Sequence, residues 1–173
     1  QSLVFPDSEL DTVYCLTPDA DDTPAVAWLD RFAVALPAET VSVRGGLQTY
    51  RFYRLPAGAP ERIAGEIAFG GQPATFANGV KLLKQQSSGE AIPGHTVRLF
   101  LWWVSPPAPD DVDYHFFNHL MDAEGHRWGQ RDGPGYPARY WQTGDLIVSW
   151  FDVEIAADAP SGDFLVRTGM YIY

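Results

Sequence analysis

The sequence predicts an α+β chain that is mostly β: an antiparallel β-sandwich preceded by a small α/β unit in the order strand-strand-helix-hairpin. Three observations predict it. From Ile63 onward, short stretches of alternating apolar and polar residues are separated by turn clusters, with no helical period. Aromatic residues make up 14% of the chain, alongside 16 Gly and 14 Pro, the mixture that ring-rich strands and many turns require. Ahead of them, a single helical period lies between strand-like runs.

In chain order, Leu3-Val4-Phe5 reads as a short strand, and Thr12 to Leu16 as an apolar run of the buried-strand kind. Asp22 or Thr23 caps a helix, Pro24 suits its first turn, and the period continues to about Val34 with Val26, Ala27, Leu29 and Ala33 near one face. Pro37 is expected to end it. Val41 to Arg44 and Leu47 to Tyr53 are then two strands joined by Gly45-Gly46, a hairpin signal. These residues, 1–56, form the α/β unit. Residues 57–62, rich in Pro, Ala and Gly, read as a linker, and residues 63–173 as the sandwich.

Within the sandwich, Val97, Leu99, Leu101 and Trp103 share one strand face. Tyr114, Phe116, Asn118 and Leu120 alternate with His115, Phe117, His119 and Met121, and Asp122 to Gly125 make a tight turn. Ile147, Ser149, Phe151, Val153 and Ile155 form another face, and Phe164, Val166, Thr168 and Met170 a last one. Turn residues at Pro106-Pro107, Gly133-Pro134, Thr143-Gly144 and Pro160 to Gly162 separate these runs.

At 173 residues the chain can bury a sizeable core without staples. Its one cysteine, Cys15, excludes an internal disulfide. A formal charge of −10 repels phosphate backbones and anionic membranes, so nucleic acid is not an expected partner. No run approaches the roughly 18 uninterrupted apolar residues of a membrane span, and no signal-peptide pattern is visible. A start at Gln1, directly before an apolar strand, leads us to expect a segment of a longer polypeptide.

The run from Tyr114 to Gly125 resembles the strand-turn pattern VFVHLLDADG. That pattern recurs in the C-terminal domains of bacterial polytopic membrane glycosyltransferases of family 39, which are similar to protein mannosyltransferases. Further matches follow in order at Asp132-Gly133-Pro134, Tyr136-Pro137, Trp141 to Asp145, Pro160 to Phe164 and Arg167 to Tyr171. The likeness covers about residues 75–173, and the α/β unit resembles the segment that follows the last membrane helix in such proteins. Asn118 departs from the pattern, which carries an apolar residue there. The resemblance implies an extracytoplasmic, membrane-tethered accessory domain whose partner is the membrane-embedded part of the same polypeptide. The acidic residues that act in an early loop of that family have no counterpart in this sequence, so no catalytic residue is carried over.

The residues themselves point to no catalytic centre, metal or cofactor. His115 and His119 share a strand face but lie about 13 Å apart, too far for one ion. The acidic clusters at Asp19 to Asp22 and Asp110 to Asp113 lack the spaced pattern of a calcium loop and read as solvated loop charge. The strand-to-helix junction at residues 16–24 lacks a Gly-rich turn, which disfavours nucleotide. There is no Gly-x-Ser-x-Gly elbow, and Cys15 reads as a small core residue.

The aromatic residues remain. Trp103 is expected in the core, with Trp102 and Trp150 pointing the other way. Trp128, Tyr136, Tyr140 and Trp141 fall in or beside long Gly/Pro-rich loops, near Asp132 and Arg139. Rings beside hydrogen-bonding groups can form a sugar platform, and the simpler reading is that they cap the end of the sandwich. The sequence thus predicts a non-catalytic accessory domain contacting glycan or acceptor. A stand-alone lectin-like module is the alternative and a hydrolase the third reading. Open strand edges leave a homodimer available.

Overall fold

The computed structural model describes residues 1–17, 23–67, 72–107 and 112–172. The protein is α+β and mostly β, with antiparallel open sheets. Its strands and helices run Ser2–Phe5 (β1), Thr12–Leu16 (β2), Pro24–Phe32 (α1), Val34–Val43 (β3), Gly46–Leu55 (β4), Ala59–Glu66 (α2), Ala74–Thr75 (β5) and Lys81–Ser88 (β6). They continue through Thr96–Val104 (β7), Tyr114–Met121 (β8), Arg127–Gln130 (β9), Gly133–Pro134 (β10), Leu146–Glu154 (β11) and Leu165–Ile172 (β12). A short 3-10 helix covers Ala138–Tyr140. The chain divides into two compact units, Phe5–Ala68, and Gln1–Val4 with Phe69–Tyr173.

In the smaller unit a three-stranded sheet runs in the order β2-β4-β3. Helix α1 begins with Pro24 in its first turn and buries Ala25, Leu29 and Phe32, a row at helical spacing. This is not the face expected from Val26, Ala27 and Ala33. The aromatic residues set the rotation: Phe32 meets Phe5 edge-on at 5.9 Å, and Trp28 stacks on Phe32 at 6.0 Å. Asp30 accepts a hydrogen bond of 2.7 Å from the Tyr53 hydroxyl, tying the helix to β4.

Pro37 does not terminate the helix, which ends at Phe32, two residues before the chain enters β3 at Val34. It lies inside β3, where the register with β4 shifts between Leu36 and Glu39. An edge strand tolerates a missing N–H at such an irregularity. Gly45 and Gly46, both at positive φ, turn the hairpin as expected.

Strand β2 also departs from expectation. It pairs with β4 and alternates between half-buried and exposed positions, so Val13 is 58% exposed and Cys15 is exposed. An apolar run is not by itself a strand covered on both sides.

The expected linker at 57–62 is replaced by α2. Gly58 takes the left-handed conformation ahead of it (φ 67°), Pro60 fits the first turn, and Ala59, Pro60 and Ile63 are buried. Arg62 donates to the Phe32 carbonyl at 2.7 Å and pairs with Glu66 one turn on. The smaller unit therefore continues past residue 56, and residues 63–66 are helical rather than part of the sandwich.

The larger unit holds two sheets. One runs β1-β11-β7-β6-β5, the other β10-β8-β12, with β9 pairing the same edge of β8 as β10. Strand β1 belongs to this sheet and not to the α/β unit. Gln1 and Trp150 exchange backbone hydrogen bonds of 3.2 and 2.9 Å, the reciprocal pair of an antiparallel ladder. Facing side chains fill the interior in two clusters. Leu101, Trp103, Phe116, Ile147 and Phe151 lie in one, and Val97, Leu99, Leu120, Val153 and Ile155 in the other. These are the faces the alternation predicts. Phe100, Trp102, Val148 and Trp150, on the opposite face of β7 and β11, are buried as well.

Candidate functional site

The loop from Asp132 to Asp145 carries most of the aromatic residues that the sequence marks. Pro137 holds an extended backbone at the start of the 3-10 helix, which ends at Trp141. That turn swings Trp141 inward: its ring stacks on Tyr114 at 6.1 Å with planes 18° apart, and its indole N–H donates to the Tyr136 carbonyl at 3.0 Å. Trp141 is only 8% exposed and belongs to the core cluster, with Tyr136 packed against it. Gly135 makes room beside them, because a Cβ there would overlap the Phe116 ring.

Arg139 and Tyr140 face outward. The Arg139 guanidinium lies 4.8 Å over the Tyr140 ring and forms an ion pair with Asp113. The Tyr140 and Asp113 hydrogen bonds, in that order, raise the Arg139 pKa, keeping its charge fixed. Tyr140 is 56% exposed, and its ring lies 6.1 Å from Tyr136. Burial, and then the charge of Asp145, push the Tyr136 phenol above its ordinary pKa, so it stays protonated. Asp145 is itself buried and accepts from the Gln142 backbone N–H at 2.9 Å, closing the Thr143-Gly144 turn. Beside Tyr114 lies a cleft of about 290 Å³ lined by Phe76, Asn78, Tyr114, Met170 and Ile172.

Tyr136, Arg139, Tyr140 and Trp141 therefore gather at the Tyr114 end of β8. The other two marked residues do not. Asp132 lies 3.6 Å from His119, on the opposite face of β8 from Tyr114. Trp128 packs on the cluster around Leu120 and Val153 and donates its indole N–H to Asp122 at 2.7 Å. The length of β8 separates it from Trp141, about 24 Å at the usual strand rise. Trp102 and Trp150 are buried, and the Trp150 indole N–H donates to the Gln1 side chain at 2.6 Å.

Trp128 and Trp141 thus spend their polar edges on internal bonds. The outward surface of this end carries Tyr140, Arg139 and Asp113. It can stack on a ring and exchange hydrogen bonds with hydroxyls.

Among the described residues, no group of three or more His, Cys, Asp or Glu side chains converges where it could hold a metal ion. The acidic cluster at 19–22 lies outside the described residues, as do Asp110 and Asp111, while Asp113 is held by Arg139. His115, Phe117 and His119 stand in one row on the outward face of β8 with Tyr171 beside them, a ring cluster that weighing the two histidines as metal ligands did not reveal. The two-residue spacing of rings at 115, 117 and 119 is the signal that marks it.

No family model matches the chain, and neither a curated protein nor a solved structure matches it. No helix among the described residues is long and apolar enough to cross a membrane.

Proposed function

We propose that the chain is a non-catalytic accessory domain of a membrane-embedded glycosyltransferase, placed on the extracytoplasmic side and contacting glycan or acceptor. What supports this reading is the fate of the motif that resembles the family pattern. Tyr114 to Gly125 forms one central strand and its turn, and the polar residues of that turn act on the fold itself. The Asp122 carboxylate accepts from the Trp128 indole and from the His126 backbone N–H, each at 2.7 Å, closing the β8–β9 hairpin. A motif whose polar residues close a hairpin serves a scaffold that presents surfaces. The exposed Tyr140 and Arg139 supply the surface for a sugar.

The reading frame around this sequence tests the host. An upstream block of several membrane-spanning helices in the same frame supports the proposal, and a short frame with no such block overturns it. A second reading, a lectin-like module acting alone, draws on the same exposed Tyr140. A glycan array with wild-type protein and Tyr140→Ala checks it: lost signal in the variant supports it, and identical signal removes it.

A further inference from the structure

The outward face of the β9-β8-β12 sheet combines rings with positive charge. Cross-strand register places Tyr171 opposite His115, Gly169 opposite Phe117, and Arg167 opposite His119. On the other edge, Gln130 lies opposite His119 and Arg127 opposite Met121. His115 contacts the Tyr171 ring at 5.8 Å, and Phe117 contacts His119 at 5.1 Å, so two ring pairs follow one another along this face. Gly169 has no side chain because the Phe117 ring occupies its place: a Cβ there would lie 2.5 Å from that ring. Phe117 therefore leans across two strands and stays half-buried.

Charge separates this face from the rest of the chain. The molecule carries −10 overall, yet this row is flanked by Arg167 and Arg127, both exposed, with His115 and His119 between them. Of the acidic residues beside it, Asp132 lies 3.6 Å from His119, and Asp122, next to Met121, is tied to the Trp128 indole and the His126 backbone N–H. Beyond a Debye length of about 8 Å at physiological salt the remote acids are screened, so a bound group meets the local basic residues first.

We infer that this face binds an acidic glycan, with sugar rings lying along Phe117 and Tyr171 and carboxylates paired to Arg167 and Arg127. The chemistry follows from the parts. An aromatic row takes the apolar face of a pyranose, guanidinium groups take carboxylates in pairs of hydrogen bonds, and Gln130 and Asp132 offer partners for hydroxyls. The surface is distinct from the Tyr140 end, and the inference does not rest on attachment to a glycosyltransferase.

Isothermal titration of the 173-residue chain with tetragalacturonate, and with maltotetraose as its neutral counterpart, tests it. The acidic tetramer is expected to bind at physiological salt and to lose affinity towards about 1 M, where a Debye length of about 3 Å screens the local pairs as well, with the neutral one far weaker. Phe117→Ala and Arg167→Gln are each expected to weaken the acidic tetramer about tenfold, as loss of one stacking or one charge-assisted contact does. Arg167 is exposed, so its variant keeps the test available if Phe117→Ala unfolds. Leu47→Ala, at an exposed position on β4 that belongs to neither surface, should leave this binding unchanged. No binding of the acidic tetramer overturns the inference. So does equal affinity for the neutral one, or an unchanged affinity in a folded Arg167→Gln variant. None of those results bears on the reading-frame test of the accessory-domain proposal.

Discussion

Asn118 and Thr168 face each other directly across β8 and β12, and the Thr168 hydroxyl donates to the Asn118 side-chain oxygen at 2.8 Å in the interior. The Asn118 amide in turn donates to the Arg131 carbonyl at 3.2 Å, so one fully buried residue links three consecutive segments of the sheet. This accounts for the departure from the apolar pattern at that position. The polar group is satisfied on both sides, which removes the penalty that an unpaired carboxamide would carry.

Asn118→Leu, which restores the apolar pattern, should destabilise the chain by about 1–3 kcal/mol, because it removes the shorter of the two bonds of the Thr168 hydroxyl and takes the side-chain donor from the Arg131 carbonyl. Adding Thr168→Val should recover part of that loss. Urea unfolding of the two single variants and the double variant gives the coupling directly.

Trp141 and Tyr140 are neighbours with opposite roles. Truncating Trp141 empties a core position stacked on Tyr114, so Trp141→Ala should cost about 3–5 kcal/mol. Tyr140→Ala, at an exposed position, should change stability by about 0.5 kcal/mol or less while affecting any ligand held at that end. Thermal melts of the two variants, run beside a binding assay, distinguish packing from contact.

The Asp122 carboxyl is held below its ordinary pKa, first by the Trp128 indole and then by the His126 backbone N–H. Its contribution is present above the unfolded carboxyl pKa of about 3.9 and disappears as pH falls through the lower folded value. Asp122→Asn should lower the melting temperature at neutral pH and flatten the acid limb of the melting curve below about pH 4. Melts of both proteins across that range check it; parallel acid limbs would remove the carboxylate from the account.

Gly135→Ala should be poorly tolerated, since the new methyl overlaps the ring of Phe116, which is only 2% exposed and enclosed by Trp103 and Phe151. Overpacking of this kind costs about 1–3 kcal/mol. Gly133→Ala, where a Cβ meets nothing within 4 Å, is the matched control and should melt close to wild type.

Alternation carries far in this chain. The residues at 97–103, 114–120, 147–155 and 164–170 fall on the interior faces that their period predicts, because a strand has only two faces and burial selects one. The tight turn at Asp122 and the hairpin at Gly45-Gly46 follow from local backbone chemistry in the same way. Tertiary structure decided the rest. Gln1 to Val4 sit in a sheet with a strand nearly 150 residues away, a pairing that no local window contains. Residues 59–66 became a helix because Ala59, Pro60 and Ile63 found burial that their composition does not announce. Trp128 and Trp141 look alike in a loop sequence, yet each turned inward where its indole N–H met an acceptor. Period and turn chemistry are properties of neighbouring residues. Which ring is covered, and which is left to meet a ligand, depends on segments that come together only when the chain folds.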